Sequence, residues 1–534
     1  MNYSPPRFRP AAVPLSPTLR LDAVSDATIV LIIGCWLGAL SWLRPLTLPD
    51  EGRYAGVAWD MLRSHSPLTP LLNGMPYFHK PPLYYWLCDL SFMIFGVNPW
   101  AARVPSLLAA LLIVTMLLRF LTAFFDRKTA VASVLVLATM PFFYGGAQFA
   151  NLDMLVAGLI GATVVQGATV MLAPAPSRRA IVAVALFAAA GVLAKGLIGV
   201  ALPGAILVVW ALATRRPRAL SRLLSPAPIA AFLIAALPWF LIMQWKYPDF
   251  FQYFFIVQQL DRFASVGYNN AQPIFFYVPV ILAMTLPWTL WLAKAKSVSL
   301  KALFWSDDAA KLMSIWFAVI LVFFSIPHSK LIGYVLPLLP PLAFFLCRLV
   351  LMHVPEAATK QALTRAFGIT IGAAAVLCLI VVGIAAARDG GSGREAAQLL
   401  KRRVQSNDLV LTLGSLPFDL PLYAQLKKPM WILDDWTSPD IAKRDNWRKE
   451  LFDAARFAPA VGGDDVLVTP EHMRDRMCAP EMAHRRIWVW GREQDAQGDR
   501  AFAPSVPRFT RGRYTVWLAT AQDMPASLRC ATPD

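Results

Sequence analysis

Eleven apolar runs of near bilayer-spanning length dominate this chain, at 26–43, 103–124, 130–149, 154–173, 180–194, 197–213, 227–245, 274–293, 312–326, 331–351 and 366–387. A membrane-crossing helix needs roughly 17–25 mostly apolar residues, so a polytopic α-helical membrane protein is predicted. The polar clusters between the runs are as informative as the runs. Asp50-Glu51, His79-Lys80, Asp153, Lys195, Asp261-Arg262 and His328–Lys330 all emerge on the same side when the runs are threaded through a bilayer. Charged groups at membrane depth are costly and mark substrate or ion pathways. Six clusters on one face predict one site, built at one membrane surface.

Composition agrees. The 534 residues are 57% hydrophobic and only 16% charged, where a soluble domain carries about a quarter. The formal charge of +17 does not point to nucleic acid, because the basic residues sit in short loops where they set topology. Arg7, Arg9 and Arg20 precede the first run, and Arg119, Arg127, Lys128, Arg178 and Arg179 mark the next loops on that side. Arg215, Arg216, Arg218 and Arg222, then Lys294, Lys296, Lys301 and Lys311, then Lys360 and Arg365 continue the alternation. Every second loop is basic, which predicts a cytoplasmic N-terminus and a tail exported from residue 388. The first run reads as a retained helix, with no small-residue cleavage site behind it.

Residues 83–97 are apolar but short, aromatic and broken by Asp89. Counting them as a span would invert every later loop, so they are predicted to lie in the interface, with a second interfacial helix at 53–63. Eleven spans are expected, thirteen if weak segments were missed. The division predicted is a membrane domain over 1–387 and an α/β domain over 388–534. DLVLTLG, MWILDD, DVLVTP, RIWVWGR and RYTVWLA supply its strands, and Cys478 and Cys530 are a candidate disulfide in an oxidising compartment.

Chemistry concentrates in the first outer loop, in PDEGRYA at 49–55 and YFHKPPLYYW at 77–86. Asp50 and Glu51 could bind a metal, orient a hydroxyl or stabilise a cationic transition state; the plainer reading is a helix N-cap. Pro81 and Pro82 stiffen the backbone behind Lys80, which suits a phosphate as a point charge or snorkels to headgroups. Asp153 could equally be an N-cap, and Lys195 departs from the inside bias of lysines. The planar fork of Arg262 suits bidentate phosphate recognition. Lys330 and Tyr334 stand where the chain re-enters the membrane, and Arg53 and Tyr77 flank the first cluster. Together these cations beside acids form an inventory for a phosphorylated lipid with carboxylates at its reactive carbon. Such a donor carries its own energy, so no nucleotide is required. A divalent metal is an expectation resting on Asp50, Glu51 and His79 in one loop and on His472 and His484 in the tail.

These motifs resemble the GT-C glycosyltransferases that use polyprenyl-phosphate sugars, in particular the lipid A aminoarabinose transferase branch related to protein mannosyltransferases. The elements run in order: DEGRYA, HKPPLYYW, NLD at 151–153, AKG at 194–196, DRF at 261–263 and SKLIGY at 329–334. The resemblance implies a GT-C fold with interfacial helices in the first periplasmic loop and a C-terminal periplasmic domain, in a bacterial inner membrane. It further implies Asp50 as principal catalytic carboxylate, with Glu51 and Asp153 beside it. Lys80 would be the phosphate ligand, and Arg262, Lys195 and Tyr334 would line the cavity. The implied reaction moves 4-amino-4-deoxy-L-arabinose from undecaprenyl phosphate to lipid A, or another sugar to another envelope acceptor. His79 stands where that branch carries Glu before Lys-Pro-Pro, which bears on metal binding and sugar choice. A transporter would instead show inverted repeats and helices broken at midplane, and an envelope scaffold would tolerate loss of Asp50 and Lys80 together.

Overall fold

A computed structural model describes residues 24–261, 270–352, 357–387, 392–458, 466–492, 508–511, 514–525 and 528–529. Each apolar run is helical. Helices α1 (Asp26–Gly38), α4 (Pro99–Phe124), α5 (Arg127–Thr139), α6 (Pro141–Ala147), α7 (Leu152–Leu172), α8 (Arg178–Lys195) and α9 (Ile198–Ala213) are followed by Pro226–Lys246, Asp308–Ser325, Leu339–Met352 and Ala357–Ala387. Among the described residues six helices are long and apolar enough to cross a membrane, or up to eight if two bent pairs each count as one span. The bends fall at α5–α6, by 72°, and between Tyr277–Met284 and Trp288–Ala295, by 112°. Pro141 and Pro287 stand at the two breaks, where proline removes an amide donor and ends a helix. Helices α1 and α9 are shorter, with 13 and 16 residues, and α8 bears Arg178, Arg179 and Lys195 at its ends.

Small residues set the closest crossings. A Cβ on Gly199 would lie 2.0 Å from the backbone of Gly191, so α8 and α9 meet at van der Waals contact of their main chains, a packing mode favoured in membranes. That contact fixes the end of α8, where Lys195 stands. Two helices form in the first loop, α2 (Asp50–Arg63) and α3 (Leu83–Phe95), linked by the short hairpin β1 (Leu71–Leu72) and β2 (Met75–Pro76).

The C-terminal α/β domain contains β3 (Leu409–Leu413), β4 (Trp431–Leu433), β5 (Leu467–Val468), β6 (Ile487–Arg492), β7 (Arg508–Arg511) and β8 (Tyr514–Ala519), in the spatial order β5-β4-β3-β6-β8-β7. β5, β4, β3 and β6 are mutually parallel, β8 pairs antiparallel with β6, and β7 pairs antiparallel with β8. Both faces are covered, as parallel strands require. Val410 and Trp488 pack with helix Arg394–Arg403 on one side, and Leu411, Val489, Met473 and Met477 close the other. Five strand runs were visible in sequence; β7 was not. Cys478 is disulfide-bonded, while its expected partner Cys530 lies outside the described residues.

The loop after β3 carries the sheet to the first loop of the membrane domain. A Cβ on Gly56 of α2 would lie 2.8 Å from the carbonyl oxygen of Phe418. The Asn73 side chain exchanges two 2.8 Å hydrogen bonds with the Met430 backbone, and Tyr423 accepts from the Leu46 amide at 2.8 Å. Ligands of open α/β sheets bind outside the carboxyl ends of the strands, where the strand order reverses. Here the loop from that end of β3 packs on α2.

Candidate active site

Helix α2 begins at Asp50, but the capping position belongs to Pro49, which makes no side-chain cap. The Asp50 carboxylate therefore does not cap; it accepts from Arg53 Nη2 at 2.6 Å and stays 41% exposed. Burial pushes this carboxyl above its ordinary value despite the pull of Arg53, with Asp153 and Glu51 adding to the push and Lys195 opposing it.

Glu51 points the other way. It is fully buried and held by Arg44 and by Arg103, whose Nε and Nη2 donate at 2.8 and 2.9 Å. The backbone amides of Thr47 and Ala150 donate to the same carboxylate at 2.9 and 2.7 Å. Burial alone would raise its proton affinity, but Arg103 and Arg44 outweigh that and hold the carboxyl well below the usual range. The expectation that Glu51 acts beside Asp50 is corrected: its lone pairs are spent on tying α2 to the segment after α1, to α4 and to the turn before α7.

Asp153 is likewise relieved of capping, because the Asn151 side chain caps α7 and accepts from the Asp153 amide at 2.9 Å. Its carboxylate is ion-paired with Lys195, whose Nζ lies 4.3 Å from the centre of the Tyr334 ring. A Cβ on Gly333 would fall 2.4 Å from Asp153 Oδ2, so the glycine of SKLIGY leaves room for the acid. Lys195, Lys80, Gln258, Gln259, Ser329 and Tyr334 line a cavity of ≈ 100 Å³ together with Ile198, Phe323, Phe324 and Pro327. A lining that combines two lysines and two amides with aromatic and aliphatic groups suits a phosphate joined to a hydrocarbon chain.

The remaining expected residues divide. Arg262 lies outside the described residues. Lys330, expected to bind substrate, is 3% exposed and donates to the Gln272 carbonyl at 2.9 Å and to the Pro327 carbonyl; it fastens two loops together, which corrects that expectation. Tyr77 is buried, with its hydroxyl donating to Glu450 at 3.1 Å. His79 stacks on Tyr77 at 4.5 Å and faces Tyr253 at 6.0 Å. With Glu51 engaged by two arginines, the expected donor set for a metal does not converge; among the described residues no three His, Cys, Asp or Glu side chains do.

Sequence reasoning missed Arg44, Arg103, Gln258, Gln259 and, most consequentially, Glu450. The last is ion-paired with Arg53 across 397 positions of chain. Long separation leaves no local signal.

The architecture is that of a GT-C membrane protein. It superimposes on the crystal structure of ArnT from Cupriavidus metallidurans bound to undecaprenyl phosphate with a TM-score of 0.76, covering 95% of this chain and 98% of that one at 22% identity. The apo form of the same protein gives 0.74. Residues 79–243 match the dolichyl-phosphate-mannose-protein mannosyltransferase family. The undecaprenyl phosphate-alpha-4-amino-4-deoxy-L-arabinose arabinosyl transferase of Aeromonas salmonicida (strain A449) is 31% identical over 353 residues, 64% of this chain and 62% of that protein. Its counterpart in Enterobacter sp. (strain 638) is 30% identical over 370 residues, 67% and 66%. The chain thus matches somewhat under two thirds of these relatives' length. Fold and sequence agree: the chain has the GT-C fold and is related to the undecaprenyl-phosphate aminoarabinose transferases.

Proposed function

We propose that this protein transfers a sugar, 4-amino-4-deoxy-L-arabinose, from undecaprenyl phosphate to lipid A at the periplasmic face of a bacterial inner membrane. The observation that carries the reading is that Lys195, which lines a partly apolar cavity with Lys80, is ion-paired with Asp153 and lies near enough to Asp50 for the two charges to act on it. The names of the relatives and the basic alternation of the loops support it.

In this mechanism the anomeric carbon lies beside Asp50 and the departing phosphate takes Lys80 and Lys195. Asp153 holds the Lys195 ammonium in place beside the cavity. Attack comes from the face opposite the phosphate, giving inversion through an oxocarbenium-like state. Preorganised charge and orientation supply most of the rate. Asp50 steadies developing positive charge when the acceptor is an ionised lipid A phosphate, and takes the proton when it is a hydroxyl. No step runs through a metal, because the expected donors do not converge, and no nucleotide is needed.

One observation favours a second reading. His79, where the aminoarabinose branch has Glu, is stacked against Tyr77, which suits a different sugar or envelope acceptor. Purified protein given undecaprenyl-phosphate aminoarabinose and lipid A tests both. Release of undecaprenyl phosphate with pentosamine on lipid A is expected; an inert donor overturns the first reading.

A further inference from the structure

Helix Trp447–Ala455 belongs to the C-terminal domain, yet two of its side chains reach the membrane domain's site. Asn446 caps it, accepting from the Arg448 and Lys449 amides at 3.0 and 3.3 Å. Glu450 and Asp453, three residues apart, share one face. One Glu450 oxygen takes the Arg53 guanidinium; the other accepts from Tyr77 at 3.1 Å. Arg53 passes its second amino group to Asp50 at 2.6 Å and lies 5.3 Å from the Tyr54 ring centre and 5.9 Å from that of Phe418. Asp453 accepts from Tyr253 at 3.2 Å, and Tyr253 accepts from the cavity amide Gln258 at 3.0 Å. Lys449 neutralises Asp453 at 2.9 Å.

We propose that this helix completes the site from the C-terminal domain, with Glu450 as the positioning residue that holds Arg53 and, through it, the Asp50 carboxylate. Asp453 does the same for Tyr253 and Gln258 on the cavity wall. The inference rests on the reading of Asp50 as the reacting acid. Arg53 bridges two acids, and without Glu450 to anchor it its fork follows Asp50 rather than fixing it. Glu450 also sets the charge that Asp50 feels. The charged groups acting on Asp50 are Arg53 and Glu51 on its own helix, Asp153 on α7 and Lys195 on α8. Removing the Glu450 charge leaves Arg53 less neutralised, so Asp50 gives up its proton more readily.

The test is steady-state turnover of undecaprenyl-phosphate aminoarabinose onto lipid A by the full-length chain and its Glu450→Gln variant, across pH. Expected are a fall in kcat of about 10- to 100-fold, the scale of a small misplacement at a reacting centre, and an acid limb displaced to lower pH. Unchanged kcat per folded molecule with an unmoved acid limb overturns the proposal. If Glu450→Gln yields no folded protein, Glu450→Asp decides: reduced kcat with the acid limb in place supports positioning, and wild-type kcat refutes it. A wild-type chain that never turns over this donor refutes the functional reading itself, and so is distinct from failure of the variant alone.

Discussion

Lys195 Nζ stands 4.3 Å from the centre of the Tyr334 ring while ion-paired with Asp153. A cation so placed has its charge satisfied on two sides and a third side on the cavity. An arriving phosphate replaces neither partner and gains a preformed counter-charge. Lys195→Met should lower kcat/KM about 100-fold, as expected when a charge-stabilising donor is lost. Tyr334→Phe, which keeps the ring face, should change it less than threefold. Equal losses in both variants would show that the hydroxyl, rather than the ring face, matters.

Glu51 and Asp50 are neighbours in sequence with opposite expected behaviour. Glu51→Gln leaves Arg44 and Arg103 buried around a neutral amide, and breaking a buried pair costs about 3–5 kcal/mol. The prediction is a sharply lower unfolding temperature in detergent and poor membrane yield. Asp50→Asn, at a partly exposed carboxylate, should leave unfolding and donor binding near wild type while abolishing transfer. A stable, inactive Glu51→Gln protein would return Glu51 to the chemistry.

The pH dependence follows from the Asp50 surroundings. Its carboxyl is pushed above the ordinary value by burial, with Arg53 opposing. Activity needs the ionised form, so it should fall on acidification at a pH higher than an exposed aspartate would give. Asp153→Asn removes a neighbouring negative charge and should move that limb to lower pH; Lys195→Met removes a positive one and should move it higher. Shifts in the reverse sense would contradict the assignment.

Gly333 leaves no room for a side chain, since a Cβ there would meet Asp153 at 2.4 Å. Gly333→Ala should displace the acid from Lys195 and cost activity about 10-fold or more. The stability change should be about 1–3 kcal/mol, the range for overpacking a tight contact. Thermal unfolding and turnover on the same preparation separate the two effects.

Much of this was legible in the chain. Apolar length located the helices, including the one over the short apolar stretch at 83–97, whose 13 residues fall below the length of a full crossing. The bends were not, since periodicity registers apolar length and not the break that Pro141 or Pro287 imposes. Motif reading found Asp50, Asp153, Lys80, Lys195 and Tyr334, all of which meet at or near one cavity. It placed Glu51 beside Asp50 because adjacent residues look alike on paper, whereas successive helical positions are turned about 100° apart. It treated Lys330 as a ligand because a carbonyl-bound lysine and a phosphate-bound lysine have the same sequence. Glu450 carried no signal at all, because its partners Arg53 and Tyr77 lie more than 370 residues away.

The most direct test of the central claim is lipid A mass spectrometry in a Gram-negative strain that lacks its own aminoarabinose transferase. The strain would express this chain or its Asp50→Ala variant, with membrane insertion of each verified by immunoblot. The account predicts a pentosamine on lipid A with the wild-type chain and none with Asp50→Ala. Unmodified lipid A from the inserted wild-type protein, or equal modification by both, would contradict it.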